Sequence, residues 1–185
     1  MEMNEITKEQ LLAIMPGASE RVDKYLLFMN EYAGKYHINT QHRWAHYLSQ
    51  IAHESGQMRY THELGKDSYF LRYEKGELGK RLGNIHKGDG ARYKGRGFIQ
   101  ITGRYNYGQF QKHCEKPVVE NPELLESPEL CVMSSMWYWD SHGFNELADA
   151  DNLIVITRKI NGGVNGLKER NSFLRRAKKT FGIES

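Results

Sequence analysis

Between Gly56 and Gly97 this chain of 185 residues stops reading as helix, and that interruption decides what it can fold into. On either side, apolar residues recur with a period near 3.6 residues, the signature of amphipathic helices. Ile6 to Met15 and Ala18 to Tyr36 lie before it, split by Pro16-Gly17. Asn106 to His113, Pro128 to Trp139, Asp149 to Ile160 and Lys168 to Phe181 lie after it, punctuated by Pro117, Pro122 and Pro128. The interruption itself is rich in Gly, Lys, Tyr and Arg. It carries turn chemistry at Gly83-Asn84 and Lys87-Gly-Asp-Gly90 and only short helical pieces, such as Asp67 to Gly76. A polar segment this long inside a compact domain is usually functional. The sequence therefore predicts a mainly α domain over residues 1–185, with a loop-rich insertion that holds at most a small β-hairpin.

The helix leading into the interruption carries the first candidate for chemistry. Thr40 is a plausible N-cap, and Leu48, Ile51 and Ala52 fall on one face. Ser55-Gly56 stops the helix, so Glu54 projects from its C-terminal end. A carboxyl backed by apolar side chains, at the negative end of a helix, is expected to resist ionisation and to serve as a general acid. A terminal Glu on an isolated helix is more often an ordinary surface residue, so the neighbouring motifs decide. Thr61-His62-Glu63 follows on the loop and offers a second carboxylate. Sugar hydrolysis needs such a pair, one acid to protonate the leaving oxygen and one base to activate water. Spacing alone also permits a solvated Glu63, and Glu74, Glu77 and Asp67 compete for the role of base.

Tyr93-Lys-Gly-Arg-Gly-Phe-Ile-Gln-Ile-Thr102 runs into Gly103-Arg-Tyr-Asn-Tyr-Gly108. Gly95 and Gly97 permit close backbone approach, and Phe98, Ile99 and Ile101 supply an apolar anchor. Gln100, Thr102, Tyr105 and Tyr107 interleave amide, hydroxyl and aromatic groups, which suits a sugar ring with its hydroxyls and C–H faces. A phosphate-cradling loop is excluded because no P-loop or dinucleotide pattern accompanies the glycines. Ile160-Asn161-Gly162-Gly163 reads as a helix stop, which accounts for the glycines and leaves the Asn161 amide free to reach a cleft.

Bulk properties narrow the class further. A net charge of +3 and a pI near 8.7 are too mild to imply nucleic acid, although Arg170, Arg175, Arg176, Lys178 and Lys179 gather near the C-terminus. Cys114 and Cys131 have no metal or disulfide-scaffold spacing and are expected as reduced thiols. The histidines are scattered, so no metal, nucleotide or redox cofactor is expected. The polar, acidic N-terminus lacks a signal-peptide core, and no apolar run approaches the roughly 20 residues that span a bilayer. The expectation is synthesis in the cytoplasm, no stable membrane insertion and a monomer.

Taken in order, His53-Glu54-Ser55-Gly56, Gly95-Arg-Gly-Phe-Ile-Gln-Ile-Thr102, Tyr105-Asn-Tyr-Gly108 and Ile160-Asn-Gly-Gly163 resemble the landmarks of glycoside hydrolase family 19. That family comprises plant-type chitinases and many phage endolysins. The resemblance runs from about Gln41 to Phe181. It implies a lysozyme-like, two-lobed helical fold with the insertion lining a central cleft, and inverting hydrolysis of a β-1,4 bond to an N-acetyl sugar. By resemblance Glu54 is the acid, Glu63 the base and Thr102 a holder of the nucleophilic water. Gln100, Tyr105, Asn106 and Asn161 then line the cleft, Arg170 orients the catalytic carboxylates, and Trp137 lies in the core beneath. Long aromatic insertions and several disulfides, present in the plant enzymes, are missing here, and Glu74 sits nearer their spacing for the base. The short bacterial and phage branch is therefore expected: an endolysin acting on peptidoglycan, released to the wall by a partner such as a holin. A bacterial chitinase and an inactive sugar-binding protein on the same scaffold are the alternatives.

Overall fold

Caps written into the sequence decide where the helices begin, in a computed structural model that describes residues 2–184. α1 (Lys8–Ile14) starts on a capping box: Thr7 Oγ1 accepts from the Gln10 amide at 3.2 Å, and the Gln10 side chain accepts from the Thr7 amide at 2.9 Å. Pro16 opens a 3-10 turn, so α2 spans Val22–Ala33 and not the whole stretch from Ala18. Thr40 caps α3 (Gln41–Glu54) as expected, accepting from the Arg43 amide at 3.2 Å. Three short helices follow, α4 (Asp67–Phe70), α5 (Gly76–Leu82) and α6 (Asp89–Arg92). Five more complete the chain: α7 (Arg104–Cys114), α8 (Pro128–Ser141), α9 (Phe144–Asp149), α10 (Leu153–Asn161) and α11 (Leu167–Phe181).

Two expectations need correction. The helix read over Asp149 to Ile160 is broken, because Asp151 turns left-handed at φ +53° and the Asn152 side chain caps a new helix by accepting from the Val155 amide at 3.2 Å. The hairpin is reduced to isolated antiparallel bridges, His62 with Arg96 and Arg96 with Ile101. Gly97 at φ +82° and Gln100 at φ +60° turn the chain too tightly for longer strands to pair.

The two lobes cohere by different physics. The main core gathers apolar residues from Ile6 to Met58 and from Tyr93 to Phe181, with α8 buried on nearly every side. α3 packs most extensively against α11, and α2 against α8. In contrast, the segment 59–92 buries only Phe70 and Leu82 among its large apolar residues. Polar groups hold it instead. Asp89 Oδ2 accepts from the Ile85 and His86 amides at 3.1 and 3.0 Å, and Arg104 forks onto both carboxylate oxygens of Asp89 at 2.9 and 2.6 Å. Asn84 donates to Tyr73 O at 2.9 Å and accepts from the Arg104 amide at 2.9 Å. Burial pushes the Asp89 carboxyl up, but Arg104 and the amides outweigh it and hold it below its usual range.

On the far side of α3, His46 is fully buried and Nε2 bonds Asp151 Oδ1 at 2.8 Å, while Lys178 donates to Asp151 Oδ2 at 2.5 Å. Burial pushes the His46 imidazole below its ordinary value of 6.5; Asp151 opposes that shift, while Lys178 and His42 reinforce it. The folded state therefore binds this proton less readily than the unfolded chain does. Stability from His46 is intact above about pH 6.5 and is lost as pH falls from there through the lowered folded value. His46→Gln keeps a donor for Asp151 and removes the titration. Urea unfolding at several pH values should show a flatter loss of stability below neutrality in that variant; an unchanged slope would show that His46 does not drive it.

Candidate active site

Glu54 closes α3 where the sequence placed it, but its surroundings are not merely apolar. Arg170 of α11, with a side chain only 1% exposed, donates Nη2 to Glu54 Oε1 at 2.5 Å. The same guanidinium donates Nη1 to Gln50 Oε1 at 2.5 Å and Nε to Asn165 O at 3.4 Å. Leu48, Ile51 and Ala52 are buried as expected, and the carboxyl they back is paired with Arg170, the arginine that the resemblance set beside a catalytic carboxylate. Oε2 of Glu54 makes no hydrogen bond with the described residues. Gln50 escaped the sequence reading, yet its position four residues before Glu54 puts both on one helix face.

Next to this pair, His53 Nδ1 meets Glu169 Oε2 at 2.5 Å. Gly166, at φ +73°, brings the start of α11 so close that a Cβ there would lie 2.2 Å from the His53 ring. Two successive residues of α3 are thus tied to two successive residues of α11. From α8, Tyr138 lies within electrostatic reach of the acid: burial first, and then the charge of Glu54, raise its hydroxyl above the ordinary value.

Past the helix end, Gly56, Gln57 and Met58 all lie left-handed, at φ +56°, +58° and +66°. Such geometry costs roughly 1–2 kcal/mol for each residue with a side chain. Three contacts hold it: Ser55 Oγ accepts from the Met58 amide at 2.8 Å, Gln57 Oε1 accepts from the Gly17 amide at 2.8 Å, and the Met58 side chain is fully buried. The tight reversal sends the chain out toward Glu63.

Glu63 is held, not solvated. Tyr73 donates its hydroxyl to Oε1 at 2.8 Å, Arg72 donates to the same oxygen at 3.3 Å, and the Gly95 amide donates to Oε2 at 3.3 Å. The Glu63 amide in turn donates to Gly95 O at 2.8 Å. Gly95 lets Gln100 approach closely: a Cβ there would fall 2.3 Å from Gln100 Oε1, and the Gln100 side chain would have to move. Burial raises the Tyr73 hydroxyl above its ordinary value, with Arg72 opposing and Glu63 reinforcing, so the phenol stays a donor. Glu74 Oε1 accepts from the Gly88 and Gly90 amides at 3.1 and 2.9 Å, Glu77 is exposed and pairs with Lys80, and Asp67 is exposed at the start of α4.

Of the remaining sequence-derived residues, Gln100 is half-buried beside Gly95 and donates to Gly97 O at 3.2 Å. Thr102 Oγ1 donates to Gln100 O at 3.1 Å, and Asn106 donates to Thr102 O at 2.7 Å, so these three share one turn. Tyr105 is exposed and able to meet a ligand, whereas Tyr107 is fully buried and donates to Lys94 O at 2.7 Å. Tyr107 is therefore a core residue and not a sugar platform. Arg96, between the two glycines, is also buried and bonds Glu126 at 2.8 Å, and Glu126 in turn meets His62 at 2.8 Å. Asn161 ends α10 exposed, and Trp137 packs on Phe110 in the core. Among the described residues no His, Cys, Asp and Glu cluster is suited to a metal ion.

The donors on Glu63 generate a test. Tyr73→Phe removes the shortest of these donors without changing ring volume, leaving Oε1 with only the longer Arg72 contact. Misplacement of a reacting group by about 1 Å costs up to roughly 10²-fold. The variant should lose activity in kcat with KM little changed and the fold intact by circular dichroism. A wild-type kcat would remove Tyr73 from the site.

Known proteins of one family resemble this chain in sequence and in fold. The family model described as chitinase class I, for glycoside hydrolase family 19, matches residues 29–158. A glycosyl hydrolase family 19 domain-containing protein of Haemophilus influenzae is 36% identical, over 68% of this chain and 74% of its own length. An endochitinase of Arabidopsis thaliana is 32% identical over 63% of this chain, which spans only 38% of that protein. Among solved structures, chitinase C from Streptomyces griseus superposes with a TM-score of 0.71 at 19% identity, covering 96% of this chain and 92% of that one. A bacterial family 19 chitinase gives 0.75 at 17% identity, covering 97% and 96%. At such identities the structural likeness establishes the shared lysozyme-like fold, and the family match with the bacterial relative establishes the rest: the chain belongs to glycoside hydrolase family 19.

Proposed function

We propose that this glycoside hydrolase cleaves β-1,4 bonds in the N-acetyl-sugar strands of bacterial peptidoglycan, with Glu54 as acid and Glu63 as base. The observation that carries the pairing is the difference in how the two carboxylates are held. Glu54 is gripped through one oxygen by Arg170, and Glu63 is fixed by donors from the loop lobe. In the reaction, Oε2 of Glu54 gives its proton to the glycosidic oxygen as the bond to the anomeric carbon breaks. Glu63 takes a proton from a water that attacks that carbon from the opposite face. The product has the inverted configuration, and proton exchange with solvent resets both groups. Inverting pairs stand roughly 6.5–9.5 Å apart to admit the water. Thr102 is assigned to hold that water, and Gln100, Tyr105, Asn106 and Asn161 to contact the sugars.

Peptidoglycan is the substrate that the resemblance to the short bacterial and phage branch implies, and the bacterial relative aligns over 74% of its length against 38% for the endochitinase. Such a role requires the enzyme to reach the wall, through a holin or an equivalent route. Chitin is the second reading, supported by the relatives described as endochitinases and by the fold shared with bacterial chitinases.

Purified peptidoglycan and colloidal chitin, digested side by side, separate the two readings: faster release from peptidoglycan is expected, and action on chitin alone would overturn the assignment. Glu54→Gln, which keeps an acceptor for Arg170, should lose about 10²–10⁴-fold in kcat on the preferred substrate. Glu63→Gln should be similarly impaired while Glu74→Gln stays active. Nuclear magnetic resonance of the first product anomers should show inversion, and retention would rule out this pairing.

A further inference from the structure

α11 uses two faces. The inner one buries Phe173, Leu174, Ala177 and Phe181 and delivers Arg170 to Glu54. The outer one lines a groove of about 740 Å³ with Lys168, Ser172, Arg175, Arg176 and Lys179 along its length. Lys178 also borders the groove, but its ammonium is committed to Asp151. Lys168, Arg175, Arg176 and Lys179 make no ion pair with the described residues, and among those residues Glu184 is the one acidic group on the groove wall. The positive charge gathered here exceeds the +3 of the entire chain, so the rest of the molecule is close to neutral.

Helix stability does not explain this pattern. Cations in the last turn gain from the helix dipole, but Lys168 stands in the first turn, where the dipole opposes it. Like charges one turn apart, as at Arg175 and Lys179, cost roughly 0.2–0.5 kcal/mol. An anion in the groove would relieve both penalties.

We propose that the outer face of α11 is a second binding site, for a flexible, water-soluble polyanion bearing a phosphate or carboxylate at its repeats. From Lys168 to Lys179 the stripe extends roughly 16 Å at the helical rise, longer than a single anion and matched to a polymer. Arginine forks and lysine ammonium groups both donate to phosphate and carboxylate oxygens, and Ser172 and Asn171 add neutral polar groups between them. Single-stranded nucleic acid is disfavoured because no aromatic side chain lines the groove for base stacking. A lipid surface is disfavoured because none of the exposed large apolar residues lies on α11. A polymer held here tethers the enzyme, while Glu54 across the helix acts on an adjacent glycan. The site does not depend on which glycan is cut.

The test uses the full chain and two labelled polymers, long-chain polyphosphate and hyaluronate, followed by fluorescence anisotropy at low and moderate salt. Wild type should bind at least one of them, with affinity falling steeply as salt rises. R175A/R176A/K179A should lose about tenfold or more in that affinity, while R175K/R176K retains it. Hydrolysis of a short neutral N-acetylglucosamine oligosaccharide should be the same in all three, which certifies the fold. Binding of polyphosphate alone supports a phosphodiester polymer as ligand, and binding of hyaluronate alone supports an acidic polysaccharide. The proposal is overturned if wild type binds neither at low salt. It also falls if the triple variant binds as well as wild type, or if duplex DNA or anionic vesicles compete more strongly than either polymer.

Discussion

The contact between Arg170 and Glu54 sets the terms for the rest of the molecule. A guanidinium with a side chain only 1% exposed needs an acceptor for its charge, and removing a partner from such a pair costs about 3–5 kcal/mol. The pair is not what drives α11 onto α3. Each buried Phe or Leu contributes roughly 1.5–3 kcal/mol, and Phe173, Leu174 and Phe181 supply that attraction. Apolar burial tolerates sliding, however, whereas Arg170 accepts only the register that brings Gln50 and Glu54 opposite it. The His53 to Glu169 contact, one residue along on both helices, enforces the same register. The packing of α11 therefore decides where Glu54 points.

The other carboxylate sits in a region built on opposite principles. Segment 59–92 has almost no apolar core, and its loops are closed by Asp89, Arg104, Asn84 and Glu74 through hydrogen bonds to backbone groups. Such a lobe opens locally at lower free energy than the helical core. Glu63 escapes that softness because it is anchored at the seam, on the Gly95 backbone and on Tyr73. One carboxylate is thus fixed to a rigid helix, and the other is pinned where the soft lobe joins the core. The left-handed turn at Gly56, Gln57 and Met58 is the bend that makes this possible, and the core contacts of Met58 and Gln57 hold it.

Residues whose role depends on short-range pattern were legible in the sequence. Thr40, Ser55-Gly56 and the period of α3 located Glu54, and the polar break from Gly56 announced a lobe without a core. Gly95 could be read as a point of close approach, and Glu63 contacts it directly. What the sequence hid were partners that meet only in three dimensions. Nothing local marks Arg72 and Tyr73 as donors to Glu63, because neither carries a motif. Tyr107 read like Tyr105, yet one is buried under Arg96 and the other exposed, a difference set by which face of α7 meets the core. Lys178 looked like another surface cation until the fold brought Asp151 to it. The break before α10 was missed because the apolar period continues across Asp151 and Asn152, and only the Asn152 cap reveals it.

A double-mutant cycle on Glu54 and Arg170, read in kcat, tests the coupling of the C-terminal helix to the acid most directly. Arg170→Met keeps much of the buried volume and removes the donor. If Arg170 acts through Glu54, each single variant loses activity and Glu54→Gln/Arg170→Met is no worse than Glu54→Gln alone. If the two losses multiply instead, Arg170 contributes independently of Glu54, and the register argument for the catalytic acid is wrong.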